Sequence, residues 1–348
     1  MRQAFLVAVC AVAALFATGH AAAAVSCTYD AATRTVFERL GQYDSDLIYL
    51  STTGTVESAS VGTCGAATVK NTDQVVATGD PVGSESLTIS EYNGPFARLK
   101  GPKKQRVEIS FEVDLGGGGD TVMIEATKGN DTIAVGTSGV ALNTTGGLDV
   151  SVANDPQIIV NGGLGNDTIT AQGGYGAGTQ YASLNELRLF GVSERGSGAI
   201  DETNTITGRD GRDYIVGGGT GLQTLSGLGG DDALFAGNGY FAGGPAVLSG
   251  GDGNDSLGGE IYDDTIDGGA GDDQVHGSGG NDTLRGGDGN DTLNGETGRD
   301  TIDAGAGNDY VFADDREADT IDGGADYDTA FYDLSYDSIV NVENPFGS

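Results

Sequence analysis

Between residues 250 and 312 the chain repeats itself every nine residues, seven times without a break in register. The units read GGDGNDSLG, GEIYDDTID, GGAGDDQVH, GSGGNDTLR, GGDGNDTLN, GETGRDTID and AGAGNDYVF. Position six is always Asp: Asp255, Asp264, Asp273, Asp282, Asp291, Asp300 and Asp309. Position eight is always aliphatic: Leu257, Ile266, Val275, Leu284, Leu293, Ile302 and Val311. Positions one, two and four are mostly Gly. A helix does not accommodate this pattern, because each interior Gly costs about 1 kcal/mol. A very short strand around position eight does, with one side chain turned inward. The six residues before it supply a turn in which positive φ costs Gly little. Two units then make one coil, with a strand on each side and a turn at each end. Coils stack at about 4.8 Å, the strand spacing. The expected fold class is therefore all-β, a parallel β-roll or β-solenoid in which residues 18 apart lie above one another.

Stacking places Asp255, Asp273, Asp291 and Asp309 in one column and Asp264, Asp282 and Asp300 in the other. Two carboxylates about 5 Å apart repel by roughly 3 kcal/mol at an effective dielectric of about 20. Five such gaps sum to about 15 kcal/mol, which rivals the whole stability of a domain at about 5–15 kcal/mol. A hard divalent cation in each gap reverses the sign.

The nonapeptide G-G-x-G-x-D-x-U-x resembles the RTX, or haemolysin-type, calcium-binding repeat. The resemblance implies a Ca2+ ion between stacked turns, held by mixed carboxylate and carbonyl oxygens at about 2.3–2.6 Å. Carried onto this sequence, the first ion uses the carbonyls of Gly251 and Gly253 with the Asp255 carboxylate. The carbonyls of Gly268 and Ala270 face them, with Asp273. The unit GEIYDDTID departs from the pattern, with Glu260 and Tyr262 in place of Gly.

Composition agrees with metal loops. The formal net charge is −34, and Asp supplies 37 of the 51 acids. Such a surface excludes nucleic acid as a partner. Disorder is the plain alternative for an acidic chain, but the fixed aliphatic position opposes it. Residues 1–24 look like a secretory signal peptide, with Arg2, an apolar run from Ala4 to Phe16 and Ala22-Ala23-Ala24 before Val25. That run is shorter than the roughly 20 residues of a membrane span, and no later segment supplies one. Cys27 and Cys64 then remain, and in an exported chain they most simply pair; two buried free thiols are the alternative.

Residues 25–114 read as a β-rich region of short strands between turns, with period-two alternation over Arg106–Val113. Arg98, Lys100, Lys103, Lys104 and Arg106 form the one basic cluster. It suits either contact with a cell-envelope polysaccharide or a solvated turn. Degenerate repeats with insertions occupy residues 115–249. They carry Asp120, Asp131, Asp167, Asp213 and Asp232, and the last three are expected metal ligands. Asp131, Asp149 and Asp167 are each 18 apart, one coil per step, although only Asp131 and Asp167 have the full loop context and coincidence is the alternative for Asp149. Residues 171–206 and 235–249 read as insertions looping off the coils. The roll proper spans 250–331, slipping by one residue after 312, and residues 332–348 read as a cap.

Enzyme signatures are absent from the sequence. There is no H-E-x-x-H and no G-x-S-x-G, and beyond the signal-like segment the single histidine is His276. The enzyme alternative is a calcium-dependent polysaccharide lyase or epimerase on a parallel β-helix. Its Lys or Arg base would have to come from the 98–106 cluster. The reading is a secreted, non-catalytic calcium-binding repeat protein with a structural or adhesive role outside the cell, possible partners being envelope polysaccharide or matrix.

Overall fold

A computed structural model describes residues 25–347 apart from 41–43, 51–54, 69–73, 91–96, 101–104, 143–149, 181–186, 192–201, 238–243 and a few shorter stretches. The described residues form strands and turns with no helix. Two long sheets, of 16 and 15 strands, run side by side along the molecule and pair mostly in parallel. This is the β-roll that the nonapeptides predict. Position eight is the inward one: Leu257, Val275, Leu284 and Leu293 are fully buried. The register is 18 residues per coil through the array, with Thr265 opposite Thr283 and Thr283 opposite Thr301. After residue 312 it becomes 19, with Tyr310 opposite Thr329.

The roll begins well before the repeats. Strands β2 (Thr35–Arg39) and β3 (Ser45–Leu50) already form a coil, and Val36 stacks on Val75. These early coils are long, since Val75 is opposite Phe111 and Phe111 opposite Val150. The stacked valines and isoleucines hold the register here, while the loops between them vary in length.

Two expectations change in the middle of the chain. Asp131 and Asp167 sit one coil apart, not two, because Thr132 pairs directly with Thr168. The intervening chain turns back through antiparallel strands Gly139–Leu142 and Val150–Val152, and Asp149 lies outside the described residues. The stretches expected to loop off also contribute coil strands: Leu187–Phe190, Asn204–Thr207 and Ala246–Asp252. Leu189, Ile206 and Leu248 fill the inward position there without a preceding Gly-rich Asp turn. At the other end Ser338–Val340 and Asn344–Gly347 complete a last coil.

The first coil is closed covalently. Strand β1 (Ser26–Asp30) runs antiparallel to β2 at the edge of one sheet. Strands β4 (Thr55–Ser58) and β5 (Gly62–Thr68) extend the edge of the other. Cys27 on β1 and Cys64 on β5 form a disulfide, so the outermost strands of the two sheets are tied together. The bridge closes a loop of 37 residues, which in the chain-entropy account stabilises by roughly 4 kcal/mol. Replacing both cysteines by Ala is expected to lower the stability of this end by about that amount. Hydrogen exchange of β1 to β5 should report the loss; unchanged protection would refute it. The signal-like residues 1–24 and Lys103 and Lys104 lie outside the described residues. The backbone on either side of the basic turn pairs as the hairpin Ala97–Lys100 with Gln105–Glu108.

Candidate metal centre

Each strand of the array is entered by a six-residue turn whose last residue is the position-six Asp. These side chains are almost wholly buried. One oxygen of each has a fixed partner. Oδ1 of Asp273 accepts the Asp255 N–H at 2.8 Å, Oδ1 of Asp291 accepts the Asp273 N–H at 2.8 Å, and Oδ1 of Asp309 accepts the Asp291 N–H at 2.7 Å. Asp264, Asp282 and Asp300 are linked in the same way on the opposite edge. The two expected columns therefore exist, with each carboxylate tied to the backbone one coil before it.

The second oxygen has no partner in nine turns. Oδ2 of Asp167, Asp232, Asp255, Asp273, Asp282, Asp291, Asp300, Asp309 and Asp328 is buried without a hydrogen-bond donor. Leaving a buried polar group unsatisfied costs about 1–3 kcal/mol, and more for a charged one. The same nine turns share a backbone feature. Positions two and four both have positive φ, as in Gly251 (118°) and Gly253 (130°) or Gly287 (120°) and Gly289 (142°). Where Gly is missing the conformation persists, in Leu228 before Asp232, Ser278 before Asp282, Glu296 before Asp300 and Asp326 before Asp328. Left-handed residues turn the position-two N–H away from the carboxylate, and that leaves Oδ2 alone.

Three turns are built differently. In 126–131, 208–213 and 259–264 the position-two residue is Thr127, Arg209 or Glu260, and none has positive φ. Their N–H groups donate to Oδ2 of Asp131 (2.9 Å), Asp213 (2.6 Å) and Asp264 (3.0 Å). The carboxylate closes these turns by itself. Asp213 and Asp264, both expected as ligands, thus have both oxygens engaged. Asp328, which follows the one-residue slip after 312, was not among the expected ligands, yet it shows the open geometry.

Neighbouring open turns present further oxygens to one another. A Cβ at Gly250 would collide with Oδ2 of Asp255 and with the Gly268 carbonyl of the next coil. A Cβ at Gly269 would strike the Gly251 carbonyl, and one at Gly271 the Gly253 carbonyl. The Ala270 carbonyl accepts the Gly253 N–H at 2.7 Å. Gly251, Gly253, Asp255, Gly268, Ala270 and Asp273 thus meet in two stacked turns. Orphaned buried carboxylate oxygens beside backbone carbonyls form an all-oxygen donor set, which fits a hard cation.

Electrostatics points the same way. Burial pushes Asp273 and Asp282 up to about 7, and Asp291, Asp300 and Asp309 up to about 6. It pushes Asp167 and Asp232 up to about 8. The N–H on Oδ1 opposes the rise, and nearby carboxylates add to it. A cation supplies what the buried charges lack.

The turns also carry an exposed ladder that the sequence reading missed. Oδ1 of Asn254 accepts the Asp272 N–H, Oδ1 of Asp272 the Asn290 N–H and Oδ1 of Asn290 the Asn308 N–H, at 2.8–3.1 Å. The signal was Asn or Asp at position five in six of the seven units, Arg299 being the exception. His276 lies on the outer face, and its Nδ1 is 3.4 Å from Glu296 Oε1 with both side chains well exposed.

The model of the RTX calcium-binding nonapeptide repeat matches four stretches of the chain, residues 159–175, 201–221, 249–284 and 285–315. The chain carries RTX calcium-binding repeats. A comparison with curated proteins finds no match. The RTX repeats thus cover the open turns at 162–167 and 250–309 and the closed turns at 208–213 and 259–264.

Proposed function

We propose that this RTX-repeat protein is secreted and that its roll is completed by calcium outside the cell, where it serves as a structural or adhesive element. The observation that carries the metal part is the coincidence, turn for turn, of positive φ at positions two and four with an orphaned Asp Oδ2. An ion belongs where two open turns stack. On one edge these are the gaps 232/255, 255/273, 273/291, 291/309 and 309/328, and on the other the gap 282/300. Asp167 is open but stacks on the closed turn of Asp131 and on Asn204. Calcium suits the gaps better than magnesium, which demands octahedral geometry and keeps its waters. The signal-like leader and the disulfide favour an oxidising exterior. Extracellular calcium saturates sites with dissociation constants of about 10⁻⁴–10⁻³ M. Among the described residues no helix is long and apolar enough to cross a membrane.

Protein recovered from the culture medium or cell surface is expected to begin at Val25 by intact mass. It should bind an envelope polysaccharide on a glycan array in calcium and release it in chelator. Retention inside the cell would contradict the secreted reading, and calcium-independent or absent glycan binding would contradict the adhesive one.

A further inference from the structure

The turn at 208–213 matches the RTX repeat in sequence but is closed, and a charged side chain fills it. Arg209 is almost wholly buried at position two. Its Nε donates to Asp213 Oδ1 at 2.9 Å, its Nη2 to the Arg212 carbonyl at 2.9 Å, and its own N–H to Asp213 Oδ2 at 2.6 Å. The guanidinium lies against Gly211 at position four, whose Cβ position is 3.4 Å from Cζ. A full positive charge therefore sits among the position-six carboxylate and a turn carbonyl, the groups that an open turn leaves for an ion.

The opposite edge of the same coils is also supplied from within. Asn204 and Gln223 stand where the column elsewhere carries Asp, and both are fully buried. Asn204 Oδ1 accepts the Asp167 N–H at 3.0 Å, as an Asp Oδ1 would. Its Nδ2 donates to the Gly218 carbonyl at 3.2 Å and to Gln223 Oε1 at 3.1 Å. Gln223 Nε2 donates to the carbonyls of Glu202 and Gly221, each at 2.8 Å. Amide protons meet the oxygens at positions 204 and 223, and the carboxylate at this level is the buried Glu202, whose Oε1 accepts the Gly165 N–H at 2.8 Å.

We infer that Arg209 is a tethered cation that replaces calcium in the 208–213 turn, and that with the Asn204–Gln223 pair it makes the coils between residues 204 and 226 a metal-free joint. The joint stays folded when calcium is absent. It offers the edges of Asp213–Val216 and Gln223–Gly229 as a template on which the calcium-dependent coils assemble. The inference deepens the proposed function and rests on its reading of the open turns.

Two variants of the full chain test it. Arg209→Gly restores a Gly at position two and removes the resident charge. In chelator, the amides of Asp213–Val216 should exchange at least about tenfold faster than in wild type, a factor well within the range of local opening. Millimolar calcium should restore protection, with one more ion bound per chain by equilibrium dialysis. Arg209→Met removes the charge but keeps a side chain that opposes positive φ. It should lose the same protection in chelator and gain no ion. Arg209→Met as protected as wild type in chelator would overturn the inference, and so would Arg209→Gly with no additional ion. Calcium uptake by wild type reads the proposed function alone, whereas the chelator comparison of wild type with Arg209→Met reads the inference alone.

Discussion

Asp291→Ala is expected to remove two ions and about 5 kcal/mol from the calcium-loaded roll. Asp291 stands between the gaps 273/291 and 291/309, and both neighbouring turns are open. Each ion contributes about 1.4 kcal/mol when free calcium is about tenfold above its dissociation constant. The Asp273 N–H also loses its acceptor, Asp291 Oδ1 at 2.8 Å, and an unpaired buried donor costs about 1–3 kcal/mol. Asp264→Ala is the matched comparison. Its Oδ2 is already taken by the Glu260 N–H, so the account assigns it no ion. It should lose hydrogen bonds only and keep the wild-type calcium stoichiometry. Equilibrium dialysis and thermal melts in calcium measure both variants. Equal ion losses would remove the distinction between open and closed turns.

Without calcium, acid should take the place of the metal. The sign follows from the direction of the shifts. Burial holds Asp273 and Asp282 near 7 and Asp291, Asp300 and Asp309 near 6 in the folded roll, against about 3.9 in the unfolded chain. Between these values the folded state binds more protons, so its stability falls as pH rises. A carboxylate held near 6 disfavours its charged form by roughly 3 kcal/mol. Several carboxylates act in the same direction. The chelated array is therefore expected to be folded near pH 5 and to lose its β structure by about pH 8. Calcium should keep it folded at pH 8 and release protons on binding in the window between about 4 and 7. Far-UV circular dichroism across pH, with chelator and with calcium, checks this. A chelated array more stable at pH 8 than at pH 5 would contradict it.

Position eight and position six carried most of what the sequence could reveal. A single inward aliphatic residue per unit is all that a three-residue strand needs, so Leu257 to Val311 announced both sheets. The coils before residue 115 gave no such notice. Val36, Val75, Phe111 and Val150 stack just as well, but loops of unequal length separate them and erase the period. Asp131 and Asp167 show the opposite hazard, since an antiparallel excursion made their spacing equal to two coils by number. Asp255 looked like the end of a run, yet its column continues through Asp232, whose N–H donates to Asp255 Oδ1 across 23 residues. The open and closed states of a turn were the least legible. Glu260 and Glu296 occupy the same position with opposite outcomes. Tyr262 replaces the Gly at position four in the first case, and Gly298 keeps it in the second. Thr127 closes its turn through its backbone N–H and its hydroxyl, both of which donate to Asp131 Oδ2.

The most direct test is far-UV circular dichroism of the full chain at pH 8, titrated from chelator into millimolar calcium, with magnesium as the control. The account predicts a reduced β signal in chelator, left by the coils without open turns, and a cooperative gain as calcium fills the stacked gaps between Asp232 and Asp328. It also predicts that magnesium at the same concentration restores little. A spectrum equally β-rich in chelator and in calcium would contradict the claim that these carboxylates are built around calcium.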